Sequence, residues 1–252
     1  MNNPLSAVII TYNAAGQLED CLKSLSFVSE IIILDSGSDD ETEAIALQYN
    51  ASFIHQDWLG YGPQKQKAVE LASHDWVLCL DADECVSEQL AAAIHSVMKQ
   101  PAYDVYQFPR CNRFLGRWLR HGEGYPDISV RLFDRRHARW SDDVVHEAVQ
   151  TEVAVGSLTG DLLHDSAASL SNYLDKQNRY TTLQARNMHA QGKHAGTAEL
   201  LLNPLFRFCK FYFFKLGFLD GRAGLIHILI GCQNTFFKYA KLIELNKQAE
   251  KH

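Results

Sequence analysis

The sequence holds no C-x-x-C pair. Its six cysteines, at positions 21, 79, 85, 111, 209 and 232, are scattered. That argues against a structural zinc or a disulfide framework and points to a reducing cytoplasm. There is no G-x-x-x-x-G-K-[ST] loop, and the stretch GYGP at 60–63 is too irregular to cradle phosphates, so a P-loop kinase is not expected. No Gly-rich N-terminal loop supports a nucleotidyltransferase. Positive charge is not in excess: the net charge of −6 gives no case for nucleic-acid binding. No apolar run reaches the roughly 20 residues of a membrane span. NPLFRFCKFYFFKLGFL (203–219) is interrupted by Arg207, Lys210 and Lys215, and AGLIHILIGC (223–232) is short. The opening MNNPLSAVIITYN has no basic segment and only a brief apolar one, so no signal peptide is expected. Internal repeats and low-complexity segments are absent.

What is present is an alternation. With 252 residues and 46% hydrophobic content, the chain suffices for one large α/β domain, or a domain with an appendage. Continuous apolar runs at 6–11, 30–35, 51–55 and 76–81 read as strands, and amphipathic stretches at 15–25, 39–49, 64–73 and 87–99 as helices. Strands apolar on both faces, alternating with helices, predict an α/β fold with a parallel sheet covered on both sides. Shorter strands are expected at 103–108, 129–133 and 153–158. Helix is expected from 167 onward, which places a domain boundary there: 1–166 catalytic, 167–252 a helical C-terminal region.

Ligands of such sheets bind beyond the carboxyl ends of the strands. Three runs end there in polar groups: Thr11-Tyr12-Asn13, Asp35-Ser36-Gly37-Ser38 and Asp81-Ala82-Asp83. In LCLDADECV (78–86) a buried-looking run meets three carboxylates, an arrangement that requires a positive partner. Residues two apart in an extended segment point the same way. Asp81 and Asp83 therefore suit one hard divalent cation, magnesium or manganese rather than zinc. Read alone, the same residues also fit a helix cap or a solvated loop.

VIITYN (8–13), IIILDSGSDDET (31–42) and VLCLDADE (77–84), in that order and spacing, resemble the inverting family 2 glycosyltransferases with the GT-A fold. DVVHE (143–147), LLHD (162–165) and YLDKQNRYTTLQA (173–185) are similar to the bacterial lipopolysaccharide inner-core β-1,4-glucosyltransferase subgroup. The resemblance implies UDP-glucose as donor, Mg2+ or Mn2+ as cofactor and an inner-core heptose as acceptor. It implies that Thr11, Tyr12 and Asn13 line the base pocket, that Asp35 holds the base or ribose edge, and that Lys65 lies near the nucleotide. Asp81 would contact ribose or metal, and Asp83 the metal that bridges the diphosphate. Taken singly, Tyr12-Asn13 and Asp35 also fit turn chemistry, and Lys65 a solvated helix face.

The acceptor hydroxyl must lose a proton, and a nearby carboxylate is the usual base. Glu147 is the candidate, Asp143 the reserve and Asp142 a weaker one, with His146 beside them. Many family members carry a Glu-Asp pair where this chain has His-Glu. His164, at a strand end, is a candidate third metal ligand. Eight arginines fall between 110 and 139 in an acidic chain. They suit an anionic acceptor, such as a phosphorylated or Kdo-bearing lipid-linked saccharide, or a solvated β-meander with scattered ion pairs. Arg117, Arg120, His121, Glu123 and Arg131 are the acceptor candidates. The bases interleaved with aromatics at 203–219 suit a helix lying in a membrane interface, or one buried in a core or subunit contact. Peripheral contact with the inner face of the bacterial inner membrane would follow from the first. The competing readings are a haloacid-dehalogenase-type phosphohydrolase using Asp81 and Asp83, although Cys85 stands where Thr or Val belongs, and a non-catalytic membrane-associated scaffold.

Overall fold

A computed structural model describes residues 3–142, 147–166 and 169–249. The chain forms two compact units, one from the residues up to Arg110 with Asp127–Asp165, the other from Cys111–Pro126 with the chain after Ser166. The segment 111–126, expected within the catalytic domain, groups instead with the C-terminal region.

In chain order the first unit runs β1 (Leu5–Thr11), α1 (Ala15–Lys23), β2 (Glu30–Asp35), α2 (Thr42–Gln48), β3 (Ser52–His55), α3 (Tyr61–Leu71), β4 (Trp76–Asp81), β5 (Glu84–Val86) and α4 (Glu88–Val97). It continues with β6 (Val105–Phe114), β7 (Arg117–Trp118), β8 (Asp127–Asp134), β9 (Ala138–Trp140), β10 (Val149–Thr151), β11 (Val155–Ser157) and β12 (Leu162–His164). Of these, β7 and the end of β6 belong to the second unit.

Strands β3-β2-β1-β4 lie parallel in that order, and β8 then β6 extend the sheet antiparallel. The apolar runs explain the parallel half. Alternate residues of one strand enter opposite faces, and both faces are covered. Ile9, Leu78 and Leu80 pack with Leu18, Leu22, Leu90 and Ile94 on one side. Val8, Val77 and Cys79 pack with Ala68, Val69, Phe133 and Trp140 on the other. Each fully buried aliphatic side chain contributes roughly 1.5–3 kcal/mol. Register aligns Thr11 with Asp35, Asp35 with His55, and Ile10 with Asp81. The polar ends of β1, β2 and β4 therefore share one edge.

Two helices start elsewhere than expected. Helix α2 begins at Thr42 because Asp40 accepts hydrogen bonds from the Thr42 and Ala15 backbone amides (3.0 and 3.1 Å), which holds 36–41 as a loop. Helix α3 begins earlier, after Gly60 at φ 101°, a conformation open to glycine alone at little strain.

The second unit contains α5 (Leu170–Ala190), α6 (Thr197–Phe208), a π-helical turn (Cys209–Phe214), a 3-10 turn (Gly217–Asp220) and α7 (Gly221–Ala249). Among the described residues, no helix is long and apolar enough to cross a membrane. Helix α6 buries none of its residues: Leu201, Leu202, Leu205 and Phe206 are exposed, and Phe213 and Phe214 follow them on the surface.

Candidate active site

The ends of β1 and β2 are locked together. Asp35 is 2% exposed. Its Oδ1 accepts from the amides of Gly37 and Ser38 (2.8 and 2.7 Å), and its Oδ2 from the hydroxyls of Thr11 and Ser38 (2.7 and 2.5 Å). Burial pushes this carboxyl up, but the bonds from Ser38, Thr11 and Gly37 outweigh it and hold the group below the usual carboxylate range. Gly37, at φ 99°, makes that tight turn possible. Asn13, also at positive φ, accepts from the Asp39 amide (3.0 Å) and donates its own amide to Ser38 Oγ (2.8 Å). Tyr12 between them is 65% exposed. Asp35, expected to hold the base or ribose edge, thus has both oxygens committed to its own loop, while the Tyr12 ring stands free at the strand end.

Asp81 meets cations of the chain itself. Lys65 on α3, only 5% exposed, places Nζ 3.0 Å from Asp81 Oδ1 and 3.3 Å from Glu147 Oε1. Arg131 on β8, also 5% exposed, donates from Nη2 to Asp81 Oδ2 (3.1 Å) and Glu84 Oε1 (3.0 Å). Glu84 is fully buried; it also accepts from Arg110 Nη1 (3.3 Å) and, through Oε2, from the Asp81 amide (3.0 Å). Arg110 pairs onward with Asp127 at 2.7 Å. Lys65 and Arg131 both lie over the Trp140 ring, at 4.8 and 5.3 Å from its centroid. Burial raises the Asp81 carboxyl, but the charges of Arg131 and Lys65 prevail and hold it well below the usual range. The positive partners required by the buried-looking run are therefore Lys65 and Arg131.

Asp83 turns away from this cluster. The chain bends at Ala82 and Asp83 before β5 begins at Glu84, so the same-side rule for extended residues does not apply to Asp81 and Asp83. Asp83 Oδ2 faces His164 Nε2 at 3.2 Å, where β12 pairs with β5. Asp81, expected to share a cation with Asp83, is instead balanced by two positive side chains, and a third cation beside them meets like-charge repulsion. Asp83 forms a separate carboxylate–imidazole pair with His164.

Of the remaining candidates, Glu147 joins the cluster through Lys65. Asp142 is exposed and pairs with Arg139 at 3.1 Å. Asp143 and His146 lie outside the described residues. Arg131, expected as an acceptor contact, is buried beneath Asp81. The other acceptor candidates fall in the second unit. There Arg117 donates to the Leu219 carbonyl (2.9 Å), the Arg120 amide and His121 bond Asp220, and Glu123 pairs with Arg207. Sequence reading missed Glu84, Arg110 and Trp140 as parts of the cluster. Glu84 at least carried a signal, a third carboxylate in the same run.

A parallel sheet covered on both faces, with ionisable side chains gathered at its carboxyl edge, is the layout of a ligand-binding α/β protein. The model of Glycosyl transferase family 2 matches residues 6–154, and the chain belongs to that family. It is a glycosyltransferase, and the phosphohydrolase alternative falls. It is 32% identical to LpsC of Rhizobium meliloti (strain 1021), a lipopolysaccharide core biosynthesis glycosyltransferase, over 96% of this chain and 92% of that one. An uncharacterized glycosyltransferase of Rickettsia felis is 29% identical over 95% and 89% of the two chains. Among solved structures, S. aureus TarS 1-349 in complex with UDP overlays with a TM-score of 0.50 at 13% identity, covering 98% of this chain and 92% of that one. The likeness to TarS is one of fold.

Proposed function

We propose that the protein moves glucose from UDP-glucose, with inversion, onto a heptose of a lipid-linked lipopolysaccharide inner core. The observation that carries this is Glu147 held by Lys65 beside Asp81 at the carboxyl end of β4. The name of LpsC supports the acceptor class, and the UDP bound by TarS the donor class. Tyr12 presents an exposed ring to the uracil, while Asp35 keeps the loop around it rigid. Asp81, kept ionised by Lys65 and Arg131, takes the ribose hydroxyls.

Asp83 and His164 would hold the divalent ion, offering one carboxylate oxygen and one imidazole nitrogen, donors that suit manganese or magnesium. When bound there, such an ion would supply Lewis-acid stabilisation of the charge on the departing diphosphate. Glu147 then accepts the proton of the acceptor hydroxyl as its oxygen bonds to the anomeric carbon. The bond from that carbon to the UDP oxygen breaks, and UDP leaves with the electron pair. Lys65 fixes the Glu147 carboxylate in place for that transfer.

The exposed apolar face of α6 and the π-helical turn, flanked by exposed Lys210 and Lys215, suits the interface of an anionic membrane. That would hold the enzyme at the inner face of the inner membrane, beside a lipid-anchored acceptor. Arg207, also expected to meet lipid, is taken by Glu123 and Thr235.

The test is release of UDP from UDP-glucose by the purified protein, with and without chelator and with Asp83→Ala. Turnover that needs added manganese or magnesium and vanishes in the variant is expected. Full turnover in chelator by both proteins refutes the metal assignment, and no turnover of any UDP-sugar refutes the donor.

A further inference from the structure

Arg131 has one feature that the cluster does not use. Its Nη2 serves Asp81 and Glu84, yet its Nη1 is buried and, among the described residues, has no hydrogen-bond partner. Buried polar atoms are nearly always paired, and an unpaired charged donor is strongly unfavourable, so an orphan of this kind calls for an explanation. Rotation does not relieve it. The guanidinium is planar, its Nη2 is pinned between two carboxylates, and its face lies over the Trp140 ring. Nη1 and Nη2 share one carbon, so any group reaching Nη1 sits next to Asp81. The surroundings are nearly balanced in charge: Lys65, Arg110 and Arg131 face Asp81, Glu84, Asp127 and Glu147. A hydrogen-bond-accepting oxygen is what the position lacks.

We propose that Arg131 Nη1 binds an oxygen of the nucleotide-sugar donor and is left unpaired only while the donor is absent. This rests on the donor reading above. Arg131 would then hold Asp81 ionised through one nitrogen and the donor through the other. The oxygen belongs to the ribose, to a phosphate or to a hydroxyl of the transferred sugar.

Arg131→Lys separates these sources. Lysine keeps the positive charge between Asp81 and Glu84 but is a point charge without a second fixed direction. Affinities for uridine, UDP and UDP-glucose are measured by calorimetry on the full chain, with thermal unfolding as a control for folding. Loss of one hydrogen bond from a charged donor should weaken UDP-glucose binding roughly tenfold to a hundredfold. Weakening of all three ligands assigns the ribose. Weakening of UDP and UDP-glucose alone assigns a phosphate, and weakening of UDP-glucose alone assigns the sugar. Unchanged affinity for all three in a folded variant, with UDP bound by the wild type, overturns the proposal. If the wild type binds no UDP, the donor reading itself fails. Should Arg131→Lys not fold, the wild type labelled with 15N-arginine gives the answer. The side-chain resonances of Arg131 must shift on saturation with UDP-glucose, and unshifted resonances overturn the proposal.

Discussion

Replacing Glu84 by Gln tests whether the charge cluster holds the carboxyl edge together. Glu84 is fully buried and accepts from Arg131 (3.0 Å), Arg110 (3.3 Å) and the Asp81 amide (3.0 Å). Glutamine preserves the volume but turns one acceptor atom into a donor. With its oxygen towards the arginines, its NH2 faces the Asp81 N–H, and that bond is lost. Turned the other way, it faces two guanidinium groups. Removing one partner of a buried ion pair costs about 3–5 kcal/mol when the other is left alone. Here neither arginine is left alone, since Arg110 keeps Asp127 at 2.7 Å and Arg131 keeps Asp81 at 3.1 Å. The loss should therefore fall near that of one or two charge-assisted hydrogen bonds, roughly 2–3 kcal/mol. That lies within the ~5–15 kcal/mol of an ordinary fold, so the variant should still be folded at 25 °C. At about 2–4 °C per kcal/mol for a unit of this size, the first unit should melt some 4–12 °C lower. Urea unfolding and calorimetry measure both quantities. A loss under about 1 kcal/mol would refute the reasoning, because the three contacts would then contribute no more than exposed ones do.

Glu147→Gln should leave UDP affinity near that of the wild type and cut transfer by roughly 10²–10⁴-fold, the span of a positioned general base; near-normal transfer, read as UDP released with acceptor present, moves the role to Asp143. Asp35 and Asp81 both lie below the usual carboxylate range, so the unfolded chain takes up protons first as the pH falls. Their stabilisation is complete above the unfolded value of about 3.9 and is lost as the pH drops through it towards their depressed folded values. Urea unfolding from pH 7 to pH 3 should accordingly show a shallower decline for Asp35→Asn than for the wild type, and parallel curves would contradict the linkage. For the membrane, Lys210→Glu with Lys215→Glu should release the protein from anionic vesicles in sedimentation, since each base near such a surface contributes about 1 kcal/mol; undiminished co-sedimentation would sink the interface reading.

The parallel half of the sheet was legible because each strand is a continuous apolar run, a local signal. Strand β5 was not: Glu84–Val86 is too short for any periodicity, and its pairing with β12 joins distant parts of the chain. The arginine window was ambiguous for a related reason. Clustering in sequence left an anionic ligand and scattered ion pairs both open, and several of these arginines, on strands and turns, find different partners within the chain. Arg110 and Arg131 enter the acidic cluster, Arg135 caps the Val69 and Ala72 carbonyls, Arg136 pairs with Asp134, and Arg139 with Asp142. Composition reports that charge is present; only the fold decides which carboxylate neutralises it.

The same distinction divides the D-A-D run. Read as extended, Asp81 and Asp83 share a direction and a cation. A turn at Ala82 and Asp83 breaks that symmetry and gives the two carboxylates unlike environments. Asp81 is fixed between Lys65 and Arg131 and held ionised, and moving it would break an ion pair with each of these buried cations. Asp83 faces His164, an imidazole that can also ligate a metal. A group that must bind and release an ion with each turnover is better served by the second environment, and one that must hold an orientation by the first. The Lys65–Asp81–Arg131–Glu84 cluster thus provides a fixed floor beside the Asp83–His164 pair. On the proposed metal assignment, that floor would survive loss of the ion, because Lys65 and Arg131 balance Asp81 and Glu84 within the chain.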